Sequence, residues 1–214
     1  DGTFTDVAAQ SGVSEPVQSF PCWFWDRDND GNLDLFVAAY ATDIDEIAGH
    51  YLGREPGYEA GRFYRGDGKG GFQAEALGYP ALPMGSNFGD LDGDGRLDFL
   101  LATGNTYIHT VMPNLLFLQQ PDGAFRDATM ASGLGHLQKG HGVAFADLDH
   151  DGDLDVFQQM GGAYAGDGYF NALFENPTAD AETPPAWMAL ELEGRDANRS
   201  AIGARIEGVV RTAA

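Results

Sequence analysis

Asp26, Asp28, Asp30 and Asp34 occupy positions 1, 3, 5 and 9 of one short stretch, and this spacing returns twice, in Asp90, Asp92, Asp94 and Asp98 and in Asp147, Asp149, Asp151 and Asp155. Carboxylates gathered this closely are chemistry for a hard divalent cation, which takes roughly six to eight oxygens at once. Position 6 is Gly31, Gly95 or Gly152, and a glycine there permits the sharp turn that folds the first three carboxylates inward. Position 7, which is Asn32, Arg96 or Asp153, can add its backbone carbonyl, as the equivalent position does in other calcium loops. An all-protein oxygen cage suits calcium better than the smaller, more strongly hydrated magnesium. The expectation is about three calcium ions, one per loop.

Turn chemistry alone would also place Asp beside Gly. It does not explain three loops that share four Asp positions and carry Leu33, Leu97 or Leu154 at position 8. Four carboxylates within one such loop also repel one another unless a cation or protons neutralise them.

The loops open like EF-hands and close differently. An EF-hand places a bidentate Glu at position 12, on a following helix; here that position holds Val37, Leu101 and Gln158. The residues after each loop, Leu35-Phe36-Val37-Ala38, Phe99-Leu100-Leu101-Ala102 and Val156-Phe157-Gln158-Gln159, are short apolar runs beside Gly-rich turns and read as buried strands. Apolar strands also lead into the loops, through Trp23-Phe24-Trp25, Asn87-Phe88 and Val143-Ala144-Phe145. Each cation site is therefore expected in a strand-loop-strand hairpin, with position 9 closing it.

These hairpins belong to a longer repeat. Asp1-Gly2-Thr3-Phe4-Thr5-Asp6 recurs as Asp122-Gly123-Ala124-Phe125-Arg126-Asp127, Ser11-Gly12-Val13 recurs as Ser132-Gly133-Leu134, and Gly70-Gly71-Phe72 is a degenerate copy of the Gly-Phe turn. Units at 1–61, 62–118 and 119–176 follow, in each of which a Gly-Phe turn comes before the acidic hairpin, with aromatic or apolar outer strands such as Phe63-Tyr64-Arg65 or Leu115-Leu116-Phe117-Leu118 near the unit boundaries. About four strands per unit, without helical periodicity, predict an all-β chain built of four-stranded antiparallel propeller blades. Three blades fall short of the roughly four to eight that close a ring, so the expectation is a partial ring from a longer chain. Residues 177–186, rich in Pro, Ala and acidic side chains, read as a linker. From 187 to 214 the alternation of Met188-Ala189-Leu190-Glu191-Leu192 predicts the start of a small β module.

The 214 residues carry a formal charge of −21. Three divalent ions would leave the chain net acidic, which argues against nucleic acid and anionic membranes as partners, since both select basic surfaces. No apolar run approaches a membrane span. Cys22 is the only cysteine, which excludes an internal disulfide and cysteine-based zinc sites. Calcium loops together with strong acidity point to an extracellular, cell-surface or periplasmic setting.

The repeated D-x-D-x-D-G-x-x-D loops resemble FG-GAP/VCBS repeats, the integrin-α type of calcium-binding propeller. The stretch from Trp187 to Ile206, with Asn198-Arg199 and Ala201-Ile202-Gly203-Ala204-Arg205, resembles the start of an ASPIC/UnbV domain, and the pairing is the arrangement of the cartilage acidic protein family. The resemblance implies a secreted or surface-exposed propeller with structural calcium and a binding role.

Other chemistry is sparse. Phe20, Met84 and His141 each stand six residues before a loop's first Asp, where an innermost strand would place them around one end of a central channel. His141 has no partner in sequence that would give it a mechanism, and the Trp23-Phe24-Trp25 run is better used in packing between blades than in sugar stacking. The irregular stretches 40–62, 103–114 and 160–170 differ between units and are where partner specificity is expected. The leading reading is a calcium-stabilised module for interaction with a protein or glycan. The rivals are a polysaccharide-active enzyme with His141 or a loop carboxylate near the channel, and an accessory subunit of a larger assembly.

Overall fold

A computed structural model describes residues 2–40, 42–54, 57–107, 110–162, 164–196, 198–201, 204, 206 and 208. Among these, eleven strands form three antiparallel sheets in which hydrogen-bonded order follows chain order. Sheet 1 contains β1 (Ser19–Trp25), β2 (Asp34–Ala39), β3 (Arg62–Gly66) and β4 (Phe72–Ala76). Sheet 2 contains β5 (Pro83–Gly89), β6 (Asp98–Thr103), β7 (Leu115–Gln119) and β8 (Phe125–Asp127). Sheet 3 contains β9 (Gly140–Ala146), β10 (Asp155–Met160) and β11 (Ala172–Phe174). The first strand of each sheet lies against its counterpart in the next, β1 beside β5 and β5 beside β9. The sheets are partial propeller blades and the ring they begin is not closed.

Side-chain alternation sorts each sheet into two faces. Trp25, Phe36 and Phe63 of sheet 1 meet Phe99, Leu101, Leu115 and Phe117 of sheet 2 in one core. On the other face of sheet 2, Leu100 and Leu116 join Val156, Val143, Phe145 and Phe174 of sheet 3 in a second. This explains why Phe99-Leu100-Leu101-Ala102 is apolar at every position: its strand is covered on both faces, and all four residues are fully buried. Burial of Phe99, Leu100 and Leu101 contributes roughly 1.5–3 kcal/mol each. At the inner strands the chains come so close that a Cβ on Gly85 would overlap the His141 carbonyl, 1.3 Å away.

Three findings differ from the sequence expectation. The Gly-Phe segments do not open units; they close the preceding sheet as its fourth strand, so sheets 1 and 2 straddle the boundaries drawn after 61 and 118. The cause is the short turn before each, where Asp67 Oδ1 accepts the amides of Lys69 and Gly71 at 2.7 and 2.9 Å and pairs β4 with β3 locally. Second, the irregular stretch after β2 contains a helix, α2 (Ile44–Tyr51), with Asp45 and Glu46 in its first turn, where acidic side chains favour the helix dipole. A further single turn, α1 (Ala8–Ser11), ends on Gly12. α2 buries Ile47 as its one large apolar anchor, too little to write a period into the sequence. Third, no strand forms among the described residues from 187 to 201, where Trp187, Met188, Leu190 and Leu192 are exposed. Among the described residues their alternation meets no sheet. Ile202, Gly203, Arg205, Val209 and Val210 lie outside the described residues.

Candidate metal centres

Each acidic loop joins the first two strands of its sheet, at 26–33, 90–97 and 147–154. The backbone reverses through left-handed residues at position 6, with φ of 88° at Gly31, 86° at Gly95 and 98° at Gly152. Position 4 is left-handed as well, at Asn29, Gly93 and His150, all residue types that enter that region more readily than most. His150 thus serves the turn through its backbone.

The same hydrogen bonds hold all three turns. The position-1 carboxylate accepts the amides of positions 5 and 6: Asp26 from Asp30 and Gly31 at 3.0 and 2.9 Å, Asp90 from Asp94 and Gly95 at 3.0 and 2.8 Å, Asp147 from Asp151 and Gly152 at 3.1 and 3.2 Å. The position-5 carboxylate accepts the amide of position 7, at 2.7 Å for Asp30 to Asn32, 2.9 Å for Asp94 to Arg96 and 3.2 Å for Asp151 to Asp153. Position 9 does something spacing does not reveal. Asp34, Asp98 and Asp155 are buried, and each uses one oxygen for the position-2 amide and the other for the end of the third strand or, at Asp155, a residue two past that end. Asp34 takes Arg27 and Gly66 at 3.1 and 2.9 Å, Asp98 takes Leu91 and Gln119 at 2.9 Å each, and Asp155 takes Leu148 and Asn176 at 3.2 and 3.0 Å. Each of these carboxylates therefore ties the turn to the outer part of its own sheet.

Three carboxylates per loop converge. Asp26, Asp28 and Asp30 present oxygens within 4.8 Å of one another, as do Asp147, Asp149 and Asp151, whereas in the second loop the trio is Asp90, Asp92 and Asp98. Asp94 is drawn aside by an ion pair with Arg96, whose Nε also donates to the Gln119 carbonyl at 3.1 Å. In loop 1 the Arg65 guanidinium stands where a cation would, 2.7 Å from Asp28 and 3.7 Å from Asp30. Asp34 and Asp155 fall outside the tight trios, as does Asp153, which accepts the Ala179 amide at 2.9 Å. Asn32 at the same loop position lies close to Gly68 of the β3–β4 turn.

The electrostatics fit a hard cation. Asp92 Oδ1 is buried without a hydrogen-bond partner, and burial together with the charges of Asp94 and Asp90 raises its carboxyl. Burial also raises Asp34 and Asp153 and lifts Asp98 to about 7, against the lowering effect of the two amides that Asp98 accepts. Asp30 moves the other way, held down by the Asn32 amide and by Arg65. Burial without a counter-charge is what a divalent ion relieves, so the residues present suit calcium, most fully in loop 2.

Several participants carry no motif. Residues after β11, including part of the 177–186 stretch read as a linker, fold back over loops 2 and 3: Asn176 Nδ2 donates to the carbonyls of Leu91 and Leu154 at 2.9 and 3.1 Å. Pro185 and Trp187 lie against Gly93 and Gly152, where any Cβ would collide with them. At the opposite ends of the strands, His141 Nε2 is 2.8 Å from the Gly161 carbonyl, Phe20 packs on Tyr40, and the Met84 methyl lies against Gly104. Trp23 and Trp25 pack between sheets 1 and 2, against Phe88 and Phe99.

Successive antiparallel sheets, each pinned by an acidic hairpin loop on the same edge, define a cation-loop repeat protein of the propeller type. A protein-family model described as FG-GAP-like repeat matches residues 26–101 and again 90–157. The chain belongs to that FG-GAP-like repeat family. Comparison with curated proteins found no match.

Proposed function

We propose that the chain is a calcium-stabilised β-propeller module that works outside the cytoplasm as a scaffold for binding a protein or glycan. The observation that carries this is the threefold convergence of Asp carboxylates on hairpins of one construction. In each loop the first three Asp positions, the position-7 carbonyl of Asn32, Arg96 or Asp153, and the position-9 Asp would hold the ion. A bound cation supplies charge neutralisation there, and the loop's own hydrogen bonds supply the shape. The end of the sheets opposite the loops supports a binding role: residues of the two irregular stretches after β2 and β6 line one open cleft of about 500 Å³. Tyr40, Asp43, Glu46, Tyr58 and Asn105 are among its walls, an aromatic and acidic set suited to a sugar or a cationic peptide.

Metal content and thermal melting test the proposal together. Native protein should retain about three calcium ions per chain, and excess EDTA should lower the melting temperature with recovery on adding calcium. Metal at background level with an unchanged melt would sink it. As part of the same proposal, residues 187–214 begin a second β module of the ASPIC/UnbV kind. Limited proteolysis should then cut within 177–186 and leave the following residues protected, and progressive loss of everything past 187 would count against it.

A further inference from the structure

The three acidic loops are joined by one hydrogen-bonded path that crosses from sheet to sheet. In loop 3, Asp155 Oδ1 accepts the Asn176 amide at 3.0 Å, and the Asn176 side chain reaches over to sheet 2, where its Nδ2 donates to the Leu91 carbonyl at 2.9 Å. Leu91 is position 2 of loop 2, and its own amide donates to Asp98 Oδ2 at 2.9 Å. Asp98 Oδ1 accepts the Gln119 amide at 2.9 Å, and Gln119 Nε2 donates to the carbonyl of Arg27, position 2 of loop 1, at 3.1 Å. The Arg27 amide in turn donates to Asp34 Oδ2 at 3.1 Å. Gln119 ends β7, and Asn176 stands two residues past the end of β11, so one link is built twice from two residue types.

The path passes through each loop where an ion would act. Leu91 lies between Asp90 and Asp92, and Arg27 between Asp26 and Asp28, pairs whose oxygens converge; in loop 2 the position-9 carboxylate of Asp98 converges with them. A cation that clamps positions 1, 3 and 9 therefore fixes the N–H and the C=O of position 2 together. With the Leu91 carbonyl fixed, the Asn176 side chain has a settled acceptor, and its backbone amide is held against Asp155 of the next loop. Leu91, Asp98, Gln119 and Asp155 are buried, where low dielectric strengthens such bonds. The chain just after Asn176 adds two further ties across loops 2 and 3, from Thr178 Oγ1 to the Leu91 carbonyl at 3.5 Å and from the Ala179 amide to Asp153 Oδ2 at 2.9 Å. Backbone ordered by one ion need not be ordered again for its neighbour, which couples sites positively without a change of shape. Charge alone would give the opposite sign, because each bound dication makes its surroundings less attractive to the next.

We infer that the three cation sites fill with positive cooperativity, and that Asn176 and Gln119 are the positioning residues that couple them, each linking the position-9 carboxylate of its own loop to the position-2 carbonyl of the loop before. The inference rests on the calcium-binding role proposed above and is separable from it, since three ions can bind whether or not they assist one another.

Equilibrium dialysis of the whole chain against calcium, at about 0.15 M salt so that exposed charges more than about 8 Å apart are screened, tests the coupling. The wild type should take up about three ions with a Hill coefficient of about 1.5 or more. Asn176→Ala and Gln119→Met each keep the backbone amide that a position-9 Asp accepts and remove the donor to the preceding loop. Gln119 Oε1 has no partner among the described residues, so Met there removes a single hydrogen bond. The double variant should still bind about three ions, with a Hill coefficient of about 1. Asp151→Ala, which takes the ion from loop 3, should leave two ions at saturation but weaken them about fivefold or more. In an Asn176→Ala background the same change should weaken them less than about twofold, a difference that a merely structural role for Asn176 would not produce. Three ions bound by the wild type with a Hill coefficient of about 1 or below overturn the inference and leave the calcium reading standing. A cooperative curve unchanged in the double variant overturns the part given to Asn176 and Gln119, and a chain that retains no calcium overturns both readings.

Discussion

Removing the cation should reverse the usual acid behaviour of this protein, and Asp98 supplies most of the effect. Its carboxyl is fully buried between the Leu91 and Gln119 amides and lifted to about 7. From about pH 4 to about 7 the folded chain keeps a proton that the unfolded chain has already released, so stability is highest at the acid side of this window and falls as pH rises. At about 1.4 kcal/mol per pH unit the fall amounts to roughly 4 kcal/mol, or about 8–16 °C in melting temperature for a chain of this size. Asp34, Asp92 and Asp153, raised by burial as well, act in the same direction. Melts followed by circular dichroism in excess EDTA at about pH 5, 6, 7 and 8 should show this decline, and excess calcium should abolish it because the ion neutralises the ionised loop. Asp98→Asn removes the titrating group and sets an amide nitrogen against one of the two N–H donors. The variant should lose about 1–3 kcal/mol at every pH and most of the pH slope in EDTA. A flat EDTA profile for the wild type, or a full slope retained by Asp98→Asn, would refute the reasoning.

Three further outcomes follow from the same geometry. Asp151→Ala should remove one calcium per chain, read by equilibrium dialysis, while the ions of loops 1 and 2 remain, since the trio at Asp147, Asp149 and Asp151 is separate from theirs. Arg65→Ala should tighten calcium binding at loop 1 by up to about fivefold in a calorimetric titration, because an exposed pair worth about 0.2–1 kcal/mol competes with the ion there. Phe99→Ala, which empties the fully buried centre of the seam between sheets 1 and 2, should cost about 3–5 kcal/mol in urea unfolding without changing metal stoichiometry.

The acidic hairpin loops, the strands on either side of them and the repetition into sheets were all legible in the sequence, because each is written within a few neighbouring residues. Asp at positions 1, 3 and 5 and Gly at 6 set a local backbone path, and apolar alternation marks strands whatever they pair with. What the three-dimensional structure decided involves partners far apart in the chain. Asp34, Asp98 and Asp155 proved to be buried brackets because the amides of Gly66, Gln119 and Asn176 arrive from the outer part of the sheet. Arg65 reaches loop 1 from β3, and loops 2 and 3 are covered by Asn176 and Trp187, which flank the stretch whose composition reads as linker, and by Pro185 within it. The phase of the sheets against the repeat was set by short turns that pair the Gly-Phe strand backward, and α2 formed around the single anchor Ile47. Spacing along a chain encodes dihedral preference and local charge, so it located the candidate sites; which donors reach a buried carboxylate depends on how sheets stack, so their finer construction was visible only after folding.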